Sequence, residues 1–262
     1  DDRVTGRLDT YAKQAKIIHM DIDPSEIDKN VKVDVAVLGD CKETLADLTR
    51  LLRPNKHTAW IESFDAYEKK ELESVINPEI HPHEGPLNMG EVVRAVSEAS
   101  NNEAILVTDV GQNQMMAARY FNYTKNRSIV TSGGLGTMGF GVPAAIGAPF
   151  GCPDRTVCAF MGDGGLQMNI QEFATAVLQE LPVILCVFNN TYLGMVRQWQ
   201  KLFYGKRYSM TCLRSGKACE GKCGTEGCEC PPYTPDFVKL AESYGAKGLR
   251  VFKPEDVKAA FE

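Results

Sequence analysis

At 262 residues, 44% of them hydrophobic and 24% charged, the chain has apolar content for one packed domain and part of another. A net charge of −5 argues against nucleic acid or an anionic membrane as the main partner. No apolar run approaches a membrane span, and no signal-peptide pattern opens the chain.

The chain starts without Met, on Asp1-Asp2-Arg3, and stops inside a helix-like stretch, Pro254–Glu262, so it reads as a piece of a longer polypeptide. Ala15–Met20 is strand-like and runs into Asp21-Ile22-Asp23-Pro24. Val33–Leu38 alternates, ends in Gly39-Asp40 and leads into a helical stretch, Cys41–Leu52, with Asp40 and Glu43 spaced as a cap. Acidic residues after strands of a Rossmann-like sheet hydrogen-bond a ribose, which makes Asp21 and Asp40 candidates; a plain cap or turn is the simpler reading. Residues 53–87 carry Pro54, Pro82, Pro86, three histidines and a helical pattern around Ile61–Val75, and read as a linker. The histidines lack metal-ligand spacing.

From Asn88 a second α/β unit begins. Met89–Ala99 is amphipathic, Ala104–Thr108 is a strand ending in Asp109-Val110-Gly111-Gln112, and Ser128–Thr131 is another. That strand enters the glycine-rich run Gly133–Gly141, which either cradles a phosphate or lets a helix pack closely on the sheet. Two further apolar runs, Thr156–Met161 and Val183–Phe188, end in Gly162-Asp163-Gly164 and Asn189-Asn190. Between them Met168, Ile170, Phe173, Ala174, Val177, Leu178 and Leu181 recur at helical spacing. A β-α-β unit with parallel strands puts Asp163 and Asn190 into one crevice at the carboxyl ends of the sheet. One carboxylate, one amide oxygen and a loop carbonyl form a hard oxygen set suited to Mg²⁺ arriving with a diphosphate. The expected fold is therefore α/β: a parallel sheet flanked by helices over residues 88–262, preceded by part of a Rossmann-like domain over residues 1–52.

The nine cysteines divide unevenly. Cys41, Cys152, Cys158 and Cys186 are scattered, the last two in apolar strands where reduced buried thiols are expected, and this fits a reducing, cytoplasmic setting. Cys212, Cys219, Cys223, Cys228 and Cys230 crowd an insertion, residues 211–232, that is too polar to form its own core. Zinc, an iron–sulfur cluster, disulfides and an unclipped loop all remain open there, since the spacing lacks the paired CxxC of a zinc ribbon.

Taken together, DDRVTG (1–6), HMDIDPSEIDKN (19–30), TDVGQNQMMAA (108–118), TSGGLGTMGFGVPAAIGA (131–148), GDGGLQMNIQE (162–172) and NNTYLGMVRQW (189–199) resemble the large catalytic subunit of the acetohydroxyacid (acetolactate) synthases. The resemblance covers nearly the whole chain except Thr211–Pro232, and the first and last of these stretches are its most specific parts. It implies a thiamine-diphosphate-binding fold and an FAD-contacting Rossmann-like segment. In it Asp163, Asn190 and the Tyr192 carbonyl hold Mg²⁺. Gln112, Asn113, Gly136, Thr137, Gly164, Gly165, Gly194 and Met195 line thiamine diphosphate. Met138 wedges beneath the cofactor's centre, Arg3 and Trp199 flank the substrate channel, and Asp21, Ile22 and Asp40 contact FAD. The implied reaction decarboxylates pyruvate and joins the fragment to pyruvate or 2-ketobutyrate, yielding 2-acetolactate or 2-aceto-2-hydroxybutyrate for branched-chain amino acids. A homodimer or tetramer with a small regulatory subunit is the implied assembly.

Three departures stand out: Asn113 replaces an expected His, the usual Trp near Met115-Met116 is absent, and the activating glutamate lies outside these residues. Other readings are a sister carboligase, such as glyoxylate carboligase, an FAD-free catabolic acetolactate synthase, or a non-catalytic metal-binding module.

Overall fold

The computed structural model describes residues 5–81, 85–213, 234–253 and 255–261. Two compact units divide the chain, Asp1–Asp65 and Ala66–Glu262.

In the first unit β1 (Ile18–Asp21) lies parallel to β2 (Val35–Leu38), with Ile18 opposite Val35. β1 starts later than the apolar run does, because the Ile17 amide donates to the Asp34 side chain instead of entering the ladder. Asp23 caps a single 3₁₀ turn, Pro24–Glu26. Asp40 caps α1 (Cys41–Leu51) by accepting from the Lys42 amide at 2.8 Å. α2 (Thr58–Glu71) begins in this unit; its last residues, a π-helical turn, Leu72–Ile76, and α3 (Asn77–Ile80) belong to the second.

The second unit is built on four strands. α4 (Met89–Ala99) begins with a capping box: Asn88 Oδ1 accepts from the Glu91 amide at 2.9 Å, and Glu91 accepts in return from the Asn88 amide. β3 (Ile105–Thr108), α5 (Gln112–Tyr120), β4 (Ile129–Thr131), α6 (Gly141–Gly151) and β5 (Val157–Gly162) follow. Then come α7 (Asp163–Leu166), α8 (Phe173–Leu178), β6 (Val183–Phe188), α9 (Gly194–Phe203), α10 (Phe237–Ser243) and α11 (Glu255–Phe261). The strands run parallel in the order β4-β3-β5-β6.

Alternation along the strands divides the core into two faces. Leu106, Cys158 and Phe160 meet Val93 and Val96 of α4, Ala117 and Tyr120 of α5, and Val257 of α11. Ile105, Val107, Val157, Ala159 and Met161 meet Val142 and Ala145 of α6, Phe173 of α8 and Ala241 of α10. Helices on both faces are what a parallel sheet needs, and they explain why β3 is buried along its whole length and β5 as far as Met161. Below the sheet the Arg155 guanidinium ties the Glu103 and Ala104 carbonyls to the Ser128 hydroxyl.

The helical spacing read between Met168 and Leu181 does not give one helix. A 3₁₀ stretch, Gln167–Glu172, separates α7 from α8, with Asn169 at φ −133° and ψ 40°. The Asn169 amide donates to the Gly139 carbonyl at 2.7 Å, so a side-chain bond to another turn outcompetes helix continuation. Among the described residues no helix is long and apolar enough to cross a membrane.

Candidate thiamine diphosphate and metal site

β3 connects to β4 on one side of the sheet, while β5 and β6 lie on the other. The order therefore reverses between β3 and β5, and a crevice at the carboxyl ends of such strands is where open α/β sheets take ligands. A cavity of about 40 Å³ lies there. All four strand ends feed it: Val110 to Asn113 after β3, Met138 after β4, Gly162 at the end of β5 with Asp163 to Gly165 after it, and Asn190, Tyr192, Leu193 and Gly194 after β6.

Asp163 is 1% exposed. Its Oδ1 accepts from the Gly164 amide at 2.8 Å and its Oδ2 from the Thr191 amide at 2.6 Å. Burial pushes its carboxyl above the ordinary carboxylate value, against the pull of the Thr191 and Gly164 amides. A bound divalent cation would compensate that cost. Asn190 Oδ1 accepts from the Tyr192 amide at 2.9 Å. Thr191 between them has φ +62°, rare for a β-branched residue and of the kind found at ligand sites. Two backbone bonds brace this turn, Leu193 to the Thr211 carbonyl and Leu213 to the Thr191 carbonyl.

Glycines keep the cradle open. A Cβ on Gly164 would meet Leu193, one on Gly165 would overlap Asp109 Oδ1, and one on Gly194 would overlap Gln112 Oε1. Gln112 Nε2 donates to Gln198 Oε1 at 3.0 Å, joining the start of α5 to α9. Asn113 is 4% exposed, and its Oδ1 has no hydrogen-bond partner. That oxygen is an acceptor, so the group that would satisfy it is a donor or a cation rather than a phosphate oxygen. The Met138 methyl lies 3.8 Å from where a Gly164 Cβ would be.

Gln112, Asn113, Met138, Asp163, Gly164, Gly165, Asn190, Tyr192 and Gly194 thus share one cavity. Gly136 and Thr137 are exposed on the turn before Met138, and Met195 follows Gly194 at the start of α9. Trp199 is 53% exposed further along α9, its ring 5.3 Å from that of Phe203. In the first unit, Asp21 accepts from the Asp23 amide and faces His19, Ile22 is exposed, and Asp40 is the cap of α1. Arg3 and four of the five clustered cysteines lie outside the described residues. Cys212 is a free thiol, and among the described residues no group of three His, Cys, Asp or Glu gathers as a metal site. An ion held by one carboxylate, one amide and a phosphate needs no such group.

Sequence reasoning passed over Asp109, Thr191, Leu193 and Gln198. Asp109 was visible as the acid just past β3. The other three lie within the quoted stretch NNTYLGMVRQW, which drew attention to its neighbours Asn190, Tyr192, Gly194, Met195 and Trp199 instead; they reach the site through the turn after β6 and through α9.

The set fits a magnesium-bound diphosphate: a buried carboxylate above its ordinary value and a glycine floor. Comparison with known proteins supports the thiamine diphosphate part of that fit. Residues 109–262 match the family described as thiamine pyrophosphate enzyme, C-terminal TPP binding domain, and residues 1–48 match the central domain of the same enzymes. The chain belongs to the thiamine pyrophosphate enzyme family.

More particularly, it is 43% identical to a probable acetolactate synthase large subunit of Methanocaldococcus jannaschii, over 98% of this chain and 41% of that protein. It is 43% identical to the acetolactate synthase large subunit of Corynebacterium glutamicum, over 100% of this chain and 40% of that protein. A probable large subunit from Methanococcus aeolicus is 40% identical, over 100% of this chain and 43% of that protein. The chain spans about two fifths of the length of these curated relatives.

Proposed function

We propose that these residues form the cofactor-binding part of an acetolactate synthase large subunit, acting on pyruvate and a second 2-ketoacid. One observation carries the reading: Asp163 and Asn190 meet Met138 at a single cavity where four parallel strands end. Asp163, Asn190 and the Tyr192 carbonyl would hold Mg²⁺. Gly164, Gly165 and Gly194 let the backbone approach the diphosphate, and Gln112 and Asn113 offer it side-chain amides. Met138 would bear on the cofactor's centre, where a polarisable unbranched side chain suits a close apolar contact. Thiamine diphosphate, when bound, supplies the electron sink for decarboxylation and carbon–carbon bond formation.

Arg3 and Trp199 would face the ketoacids, Arg3 through a bidentate grip on a carboxylate. Asp21, Ile22 and Asp40 would contact FAD in a structural role. Residues 1–52 would then belong to the central domain, 53–87 to a linker and 88–262 to the cofactor domain. Assembly as a homodimer or tetramer with a small regulatory subunit, in the cytoplasm, completes the reading. The test is acetolactate formation from pyruvate by the polypeptide extended to the length of its relatives, with thiamine diphosphate, Mg²⁺ and FAD omitted in turn. Activity requiring all three supports the whole proposal; cofactor binding without acetolactate would move it to a sister carboligase.

A further inference from the structure

Asp109 is as buried as Asp163, at 1% exposure, yet none of the roles above uses it. Its backbone is fixed to β5, the Asp109 amide donating to the Phe160 carbonyl at 2.8 Å. Its carboxylate is held by peptide N–H groups. Oδ2 accepts from Gly139 at 2.9 Å and from Gly141 at 2.8 Å, while Oδ1 accepts from Val110 at 2.8 Å. Among the described residues no Lys or Arg forms an ion pair with it. Gly141 is the first residue of α6, so the positive end of that helix also faces the carboxylate.

Both sides of the carboxylate are committed. One side grips the amides at Gly139 and Gly141, which begin immediately after Met138. The other lies where Gly165 has no side chain, against the turn that presents Asp163. Gly139 is itself confined, with φ +88° and no room for a Cβ beside Met168 and Asn169. The chain from Met138 to Gly141 is therefore held from two directions, by Asp109 through the Gly139 and Gly141 amides and by Asn169 through the Gly139 carbonyl, and Asp109 is the only one of the two that is charged.

We propose that Asp109 is a positioning residue that sets Met138 at a fixed height over the Asp163 turn, so that a ligand must satisfy both at once. The inference rests on the thiamine diphosphate reading of the site. It predicts selectivity: the diphosphate end is gripped by Asp163 and Asn190, whereas recognition of the rest of the cofactor depends on where Asp109 holds Met138. Asp109→Asn keeps the shape but turns an N–H toward the backbone amides. Charged hydrogen bonds of this kind are strong enough that thiamine diphosphate should bind the 262-residue chain about tenfold more weakly.

The experiment is calorimetric titration of the chain with thiamine diphosphate and, separately, inorganic pyrophosphate, both with Mg²⁺. Amide exchange at Gly139 and Gly141 is followed in parallel. The expected result is loss of thiamine diphosphate affinity, pyrophosphate affinity kept within about twofold, and faster exchange at both glycines while Val157–Gly162 stays protected. In a Met138→Ala background, Asp109→Asn should change the ratio of the two affinities no further. Asp109→Ser, which removes the charge and keeps one acceptor, carries the same expectation should the Asn variant not fold. Equal loss for both ligands, or no loss for either, would overturn the positioning role. A wild-type chain that binds pyrophosphate but shows no preference for thiamine diphosphate would instead remove the reading on which the role rests.

Discussion

Gly165 and Gly194 look alike in sequence, and each leaves space that a neighbouring side chain fills, but those neighbours differ. Gly165 faces Asp109, whose carboxylate is pinned by backbone amides; Gly194 faces the end of Gln112, a flexible chain with one bond to Gln198. Gly165→Ala should therefore cost about 2 kcal/mol of stability as the pinned network breaks, measured by urea denaturation. Gly194→Ala should cost under about 1 kcal/mol while weakening thiamine diphosphate binding, because Gln112 can swing away. A second residue-level prediction concerns pH. Burial pushes the Cys186 thiol from 9.0 up to about 12, and raises Cys158 on the neighbouring strand further. Between pH 9.0 and about 12 the folded chain holds a proton that the unfolded chain has released. This contribution to stability is therefore complete below pH 9 and is lost as pH rises toward 12. Thermal unfolding followed from pH 8 to 11 should show a falling midpoint, with a shallower fall in Cys186→Ala.

At the scale of elements, local chemistry and packing contribute separately. The apolar run Val183–Phe188 is β6, and Met89–Ala99 is α4, because a continuous branched run and an amphipathic period each have one good solution. The α4 cap is likewise local: Asn88→Ala should cost about 1 kcal/mol in chemical denaturation without altering cofactor affinity. The segment after Asp163 is different. Its helical period is real, but Asn169 leaves the helix for the Gly139 carbonyl, and no pattern within the segment encodes that partner thirty positions away. The same holds at β1, where the Asp34 side chain takes the Ile17 amide and shortens the strand.

For the molecule as a whole, the chain spans about two fifths of its relatives' length, and the resemblance to the acetohydroxyacid synthases implies an activating glutamate that none of the matching stretches supplies. The 262-residue chain should accordingly bind Mg²⁺ and thiamine diphosphate, detected as a cofactor-dependent rise in melting temperature, yet form acetolactate from pyruvate no faster than a chain-free control. Measurable turnover would show that a group within these residues serves in place of that glutamate. By itself the sequence determined the α/β class, the parallel pairing across Gly162-Asp163-Gly164 and Asn189-Asn190, and the meeting of Asp163 with Asn190. Those follow from short-range patterns and from the handedness of a single crossover. Only the tertiary structure decided the order β4-β3-β5-β6, which puts the reversal between β3 and β5 and brings Asp109 under the Met138 turn. Strand order depends on which helices cover which face, and that is a property of the whole core rather than of any one stretch of chain.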